Sequence, residues 1–232
     1  MTTPDAFAAL ARSSPWRWTT LRFSARWYPG ESPRWPVRAW LRRPDVVRVE
    51  TMDGALLQVV RERSDGRPLP GDRDFPEPAR RPDGLVARRD RAWVDAFDAP
   101  MYQNYFWVAM LDPVELAEGF DEDSGAASPG TVIEDVREVD HGGRPAWEAV
   151  VGTTRAYAPR CGCCALLPTR DGDQDDVGPP VPLAEYPEAF RVRLDVGTGV
   201  CVLTRALDAR VRYGHDLLIE AVDEPMGDAL FT

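Results

Sequence analysis

The sequence contains no lysine, and Asn104 is its only asparagine. All 28 basic residues are therefore arginine, which indicates a base-composition bias that also enriches alanine, proline and glycine. The abundance of these residue types is not taken as a sign of function. No apolar run approaches the roughly 18–20 residues of a membrane-spanning helix, so we expect a soluble protein. Residues 1–14 show no pattern of a signal peptide, and the expected location is cytoplasmic.

The chain also has no excess of positive over negative charge. Its formal net charge is −10, with 38 acidic residues. A globally acidic chain has no electrostatic footprint for nucleic acid, so that class of partner is excluded. A chain of this size buries roughly 70% of its unfolded surface in one core. Because no internal repeat is present, residues 1–232 are predicted to form a single domain, with an exposed loop rich in proline, glycine and charge at about 62–84.

Hydrophobic periodicity predicts the secondary structure. Thr3 and Pro4 are typical of a helix start, and Phe7 and Leu10 share one helical face. From Trp16 to Tyr28 the apolar residues alternate, as in a strand with one dry face. Further strands follow this pattern, and their short turns favour antiparallel pairing. We expect nine or ten strands and two to three helices.

An aromatic segment at 100–120 is predicted to be helical. Tyr102, Tyr105 and Phe106 recur at helical spacing, and Asp112-Pro113-Val114-Glu115 is typical of a second helix start. In this interpretation Asp112 caps the amide of Glu115, and Glu115 reaches back to the cap.

Few residues suggest a catalytic or metal-binding site. His141 and His215 stand beside glycines, and no local pattern supplies either with a serine or cysteine partner. The alternating acids Asp171, Asp173 and Asp175 do not fit a calcium loop, because Asp176 and Pro182 stand where glycine and glutamate are required. An acidic surface loop is the preferred interpretation.

The four cysteines leave three hypotheses open. Cys161, Cys163 and Cys164 fall within four residues, and Cys201 follows on a later strand. They are structural thiols, or most of them hold a structural zinc ion, or they have a disulfide or redox role in which a bridge would involve Cys201. Zinc ligands usually come as two pairs, whereas these cysteines are arranged as three plus one.

Residues 38–50, RAWLRRPDVVRVE, resemble the strand, Arg-Pro, strand signature of LolA-type lipoprotein carriers and the related LppX, LprG and RseB-type domains. The order of elements is also similar, including the turn at Leu111-Asp112-Pro113 and the end of the chain from Ile219 to Phe231. The resemblance implies an α+β fold: a strongly curved antiparallel sheet, forming an incomplete β-barrel, with helices on its concave side. It also implies that Arg43, just before the proline, hydrogen-bonds the helical lid.

The resemblance supports fold more than function, because the sequence shows no secretory signal and the cysteine cluster has no counterpart in the carriers. The first hypothesis is a non-enzymatic module that binds a lipid or another apolar small molecule. The second is a protein-interaction or regulatory domain whose partner is unknown, and the third is a zinc- or thiol-dependent protein. The residues predicted to line the ligand site are Leu21, Phe23, Leu41, Arg43, Phe106, Phe190, Val192 and Leu194.

Arg43 has two interpretations. As a latch, its guanidinium would reach carbonyls at the C-terminal end of a helix. As an ordinary surface arginine, it would pair with nothing specific. The latch predicts that Arg43→Leu loosens the lid, and that Arg42→Leu, which points to the opposite face, does not.

Overall fold

The computed structural model describes residues 2–29, 36–62, 77–89, 97–121, 123–169, 186–207 and 213–232, without the side chains of Pro29 and Cys163. The acidic stretch at 171–176 and most of the predicted loop at 62–84 lie outside these residues. The remaining end of that loop contains a short strand. No helix in the described ranges is long and apolar enough to span a membrane.

Nine of the eleven described strands form one antiparallel sheet. Its order is β4-β3-β2-β1-β11-β10-β9-β8-β7, so the sheet is open, with β4 and β7 at its edges. Strands β5 and β6 form a separate ribbon against the first helix. The strands are β1 (Thr20–Pro29), β2 (Val37–Arg42), β3 (Val46–Thr51), β4 (Leu56–Arg61), β5 (Ala79–Arg80), β6 (Val86–Arg88), β7 (Thr131–His141), β8 (Arg144–Thr153), β9 (Phe190–Asp195), β10 (Cys201–Ala206) and β11 (Tyr213–Val222).

Two helices pack on one face of this sheet. Helix α1 spans Pro4–Ser13, and the Thr3 side chain caps it by accepting a hydrogen bond from the Ala6 amide at 3.1 Å. Helix α2 spans only Tyr105–Leu111, and Asn104 caps it by accepting from the Phe106 amide at 3.2 Å. Short 3-10 turns follow both helices, at Ser14–Trp16 and Val114–Leu116. The α+β class with a mostly antiparallel sheet is therefore confirmed.

The strand faces follow the predicted alternation. One buried cluster includes side chains from β1, β2, β3, β8, β9, β10 and β11 together with both helices. Because strands far apart in the sheet order share this cluster, the sheet curves around the helices. The apolar residues predicted to line the concave side all belong to it: Leu21, Phe23, Leu41, Phe106, Phe190, Val192 and Leu194.

The predicted capping between Asp112 and Glu115 is wrong. The 3-10 turn at Val114–Leu116 has no side-chain cap, and both carboxylates bond to other parts of the chain. Asp112 receives two arginines, and Glu115 receives the Tyr157 hydroxyl and the Leu166 amide. Asp112 is fully buried, and a buried carboxylate requires positively charged partners, so the arginines bind it in place of the local amide.

The end of the chain packs on the opposite face of the sheet. Phe231 is buried with Met226 and Val46 in a second, smaller cluster. Arg42 donates to the Met226 carbonyl at 2.9 Å and to Asp228 at 2.8 Å, and its guanidinium lies over the Phe231 ring. Arg42 does point away from Arg43, but it anchors this terminal segment. It is therefore unsuitable as a silent control, contrary to the sequence-based expectation.

Candidate functional site

Five charged residues gather around Asp112 at the C-terminal end of α2, and we call this group the α2 clamp: Arg43, Arg89, Arg160, Asp98 and Asp112. The three arginines come from separate parts of the fold, since Arg43 follows β2, Arg89 follows β6 and Arg160 follows β8. The two carboxylates flank α2 on either side in the sequence. The clamp therefore ties α2 to three segments that are distant along the chain.

Asp112 is the centre of the clamp. Its side chain is fully buried at the end of α2. Arg89 donates to both carboxylate oxygens at 2.8 Å, one from Nη1 and one from Nη2. Arg160 donates from Nη2 to Oδ2 at 2.7 Å. One carboxylate thus accepts three charge-assisted hydrogen bonds, the strongest class available to protein side chains.

Arg160 connects the segment before α2 to the residue that follows α2. Its Nε donates to Asp98 at 2.8 Å, and its Nη1 donates to the Asp112 carbonyl at 3.0 Å. Burial alone would lower the pKa of Arg160, but the Asp112 and Asp98 carboxylates outweigh burial and raise it. This guanidinium therefore holds the segment before α2 and the residue that ends α2 at the same time.

Arg43 contacts the segment before α2 and not the carbonyls at the helix end. Its Nη1 donates to the Phe97 carbonyl at 2.7 Å, and its guanidinium lies 4.1 Å from the centre of the Trp18 ring. Its Nε and Nη2 atoms are buried and have no hydrogen-bond partner in the described part of the chain. Burial lowers the pKa of Arg43 to about 10, although Asp112 acts in the opposite direction.

An aromatic layer lies between α2 and the sheet. Trp107 on α2 contacts Phe23, Trp27 and Tyr102 at ring-centre distances of 5.2, 6.2 and 5.3 Å. Its indole Nε1 is buried without a hydrogen-bond partner among the described residues. Phe106, the preceding residue, packs edge-on against His215 at 5.5 Å. The predicted lining residues Phe23 and Phe106 are thus both in this layer.

The other predicted lining residues complete the floor. Leu21 and Leu41 are opposite each other on β1 and β2. Phe190, Val192 and Leu194 alternate along β9 and are at most 1% exposed. All of them are covered in this structure, so a ligand contacts them only when α2 or its flanking segments move.

Glu115 forms a second buried polar group next to the clamp. Its Oε1 accepts from the Tyr157 hydroxyl at 2.5 Å and from the Leu166 amide at 2.8 Å. Burial raises the pKa of Glu115, and burial together with the Glu115 carboxylate raises the pKa of Tyr157. No carboxylate–arginine ion pair of Glu115 is found in the described parts of the chain, so its role there is to hold the segment that contains Leu166.

The two histidines are held by hydrogen bonds within the sheet. His215 is buried, receives the Thr204 hydroxyl at Nδ1 and donates from Nε2 to the Cys201 carbonyl at 2.6 Å. Burial lowers the pKa of His215 to about 4. His141 bonds to the Leu217 carbonyl at 3.0 Å and to Arg193 at 3.2 Å. Neither set of contacts includes a nucleophilic serine or cysteine side chain.

The cysteines are split between two places. Cys201 is a free thiol buried on β10, and burial raises its pKa. The side chain of Cys163 is not among those that the structure describes, so a bridge between Cys163 and Cys201 stays a prediction. Gly162–Cys164 forms a single 3-10 turn. Among the side chains that the structure describes, no group of three or more histidines, cysteines or acids is placed to hold a metal ion. A zinc site that includes Cys163 lies outside those side chains and stays a prediction.

Comparisons with known proteins give likenesses among solved structures only. No family model and no curated protein matches the chain. Among solved structures, the crystal structure of MucB is similar at a TM-score of 0.39 and 13% identity. The similar region covers 98% of this chain and 61% of MucB, so the chain spans about three-fifths of that protein. At this TM-score the likeness carries no argument about function, and the LolA-type resemblance stays a hypothesis.

Proposed function

We propose that the protein is a non-enzymatic module that binds a lipid or another apolar molecule between α2 and the concave face of the sheet. The observation that carries this proposal is the construction of the α2 region. A helix of seven residues covers a broad apolar floor and is attached by ion pairs at its C-terminal end. Its contacts with the floor are apolar and aromatic, which an apolar ligand can replace.

Two buried polar groups beside α2 support this proposal. Among the residues that the structure describes, the Trp107 indole N–H and the Nε/Nη2 edge of Arg43 have no hydrogen-bond partner. Buried polar groups in folded proteins normally have a partner, so each exception calls for a specific explanation. A ligand with an apolar body and a polar end is one explanation that accounts for both groups.

A protein-interaction function is the second candidate, and a different observation favours it. Leu56 and Leu57 on the edge strand β4 are 50% and 47% exposed. The opposite edge, β7, carries several acids and a bulge with a positive φ at Asp135, which are features that discourage strand pairing. Strand β4 has a register shift at Leu57, but it carries no acid and no positive φ between Leu56 and Arg61, so an extended peptide could pair with it.

Photo-crosslinking with an uncharged diazirine-bearing fatty alcohol separates the two functions. Apolar-ligand binding predicts labelling of peptides that contain α2, β9 and β10, with competition by unlabelled decanol. Labelling restricted to the peptide that contains β4, or labelling without competition, would refute the proposed site. Native mass spectrometry of the purified protein provides an independent test, because a bound apolar molecule adds a defined mass.

A further inference from the structure

Within the described residues, the Arg43 guanidinium uses one of its three nitrogens. Nη1 donates to the Phe97 carbonyl, whereas Nε and Nη2 are buried and donate to no acceptor there. The N–H groups of Nε and Nη2 lie on the same edge of the planar guanidinium. This edge is one of the two that bind a carboxylate or phosphate through parallel hydrogen bonds.

The other two arginines of the α2 clamp show what such an edge normally binds. Arg89 contacts the Asp112 carboxylate through two guanidinium nitrogens, whereas Arg160 contacts Asp98 through Nε and Asp112 through Nη2. No ion pair to Arg43 is found in the described ranges of the chain. Both oxygens of Asp112 are already engaged, so Asp112 offers no unused oxygen to Arg43.

The surroundings favour a fixed cation at this position. Trp18 stacks on the Arg43 guanidinium at 4.1 Å, and the bond to Phe97 fixes the rotation of its plane. With a pKa of about 10, Arg43 is protonated at neutral pH. Arg43 as a whole residue is half-buried, and its Nε/Nη2 edge is buried.

We propose that the free Nε/Nη2 edge of Arg43 binds one oxyanion, a carboxylate or a phosphate group. Two sources share this chemistry. The oxyanion is a free small anion, or it is the head group of an amphiphile whose chain lies under α2. The head-group source rests on the proposed function, whereas the oxyanion site itself does not.

Titration of the folded wild-type protein tests the site. The probes are inorganic phosphate, acetate and decanoate, with chloride at matched ionic strength as the reference and decanol as the uncharged partner of decanoate. The measurement is the Arg43 Nε–H resonance in a ¹H–¹⁵N NMR spectrum. We expect a saturable shift with at least one oxyanion and none with chloride.

Matched variants assign the effect to the guanidinium edge. Arg43→Lys keeps the charge but not the two-pronged geometry, and we expect at least tenfold weaker oxyanion binding by calorimetry. Arg26→Lys is the control, because Arg26 is exposed on β1. If Arg43→Lys does not fold, the wild-type NMR titration decides alone.

The outcomes separate the sources and the two proposals. Phosphate or acetate binding as tightly as decanoate identifies a free anion, and decanoate binding at least tenfold tighter than acetate identifies an amphiphile head group. Decanol binding without any Arg43-dependent oxyanion binding overturns the oxyanion site and leaves the proposed function standing. Oxyanion binding without decanol binding supports the oxyanion site and overturns the proposed function.

Discussion

Replacing Asp112 with asparagine tests whether the α2 clamp holds the helix in place. The change keeps the size of the side chain and removes one negative charge. In the wild-type protein this carboxylate accepts two hydrogen bonds from Arg89 and one from Arg160. An asparagine offers a single oxygen, and its amide group would place donors against the guanidinium donors.

The expected loss of stability follows from the burial of the partners. The side chains of Asp112, Arg89 and Arg160 are 0, 1 and 5% exposed, so water cannot replace the lost carboxylate. Arg160 keeps Asp98, but in the described residues Arg89 keeps no other carboxylate. Removing one partner of a buried ion pair costs about 3–5 kcal/mol, and we expect Asp112→Asn to lower the free energy of unfolding by about this amount.

Asp228→Asn is the matched control. Its carboxylate also pairs with an arginine, at 2.8 Å, but it is 85% exposed. Exposed pairs contribute about 0–1 kcal/mol, so this variant should differ little from the wild type. Urea denaturation gives both free energies, provided that the m-values agree. Equal effects of the two substitutions would refute the assignment of Asp112 as the centre of the clamp.

Two further predictions concern other parts of the fold. His215 is buried in its neutral form, with a pKa of about 4 against 6.5 in the unfolded chain. The free energy of unfolding is therefore expected to fall by about 3 kcal/mol as the pH is lowered from 6.5 towards 4. His215→Asn should reduce this pH dependence, and an unchanged pH dependence would contradict the burial argument. Phe231→Ala should lower the free energy of unfolding by about 3 kcal/mol, because Phe231 is 2% exposed where it packs on the sheet. Leu218→Ala, at a position that is 45% exposed, should lower it little. Equal losses of stability in thermal unfolding would contradict the packing of the terminal segment.

The strands were predictable because their signal is local. Along β9 the apolar residues Phe190, Val192 and Leu194 alternate with arginines, and the structure buries them on one face. The same period identified Leu21 and Phe23 on β1. Alternation over five or six residues requires only that one face be dry, and it does not depend on which element covers that face.

The α2 clamp was not predictable, apart from a role for Arg43. Arg89 and Arg160 lie far apart in the sequence, and arginine is the only basic residue of the chain besides its two histidines. Nothing in the local pattern distinguishes these two arginines from the exposed ones. Asp112 was interpreted as a helix cap because capping involves only residues that are close in the sequence. Its observed partners, Arg89 and Arg160, are distant in the sequence and come near it only in the folded chain. Charge pairing between distant segments leaves no periodic signal.

The two attachments of α2 differ in a way that matters for the proposed function. At its C-terminal end the clamp holds Asp112 itself, the residue directly after the helix. On its N-terminal side the clamp holds Phe97 and Asp98, and residues 99–104 separate them from the first helical residue. An apolar ligand can replace the aromatic contacts of Trp107, but it cannot replace the ion pairs of a buried carboxylate without leaving charges unpaired. Opening of α2 for such a ligand therefore has to begin at its N-terminal end, with Asp112 as the fixed point.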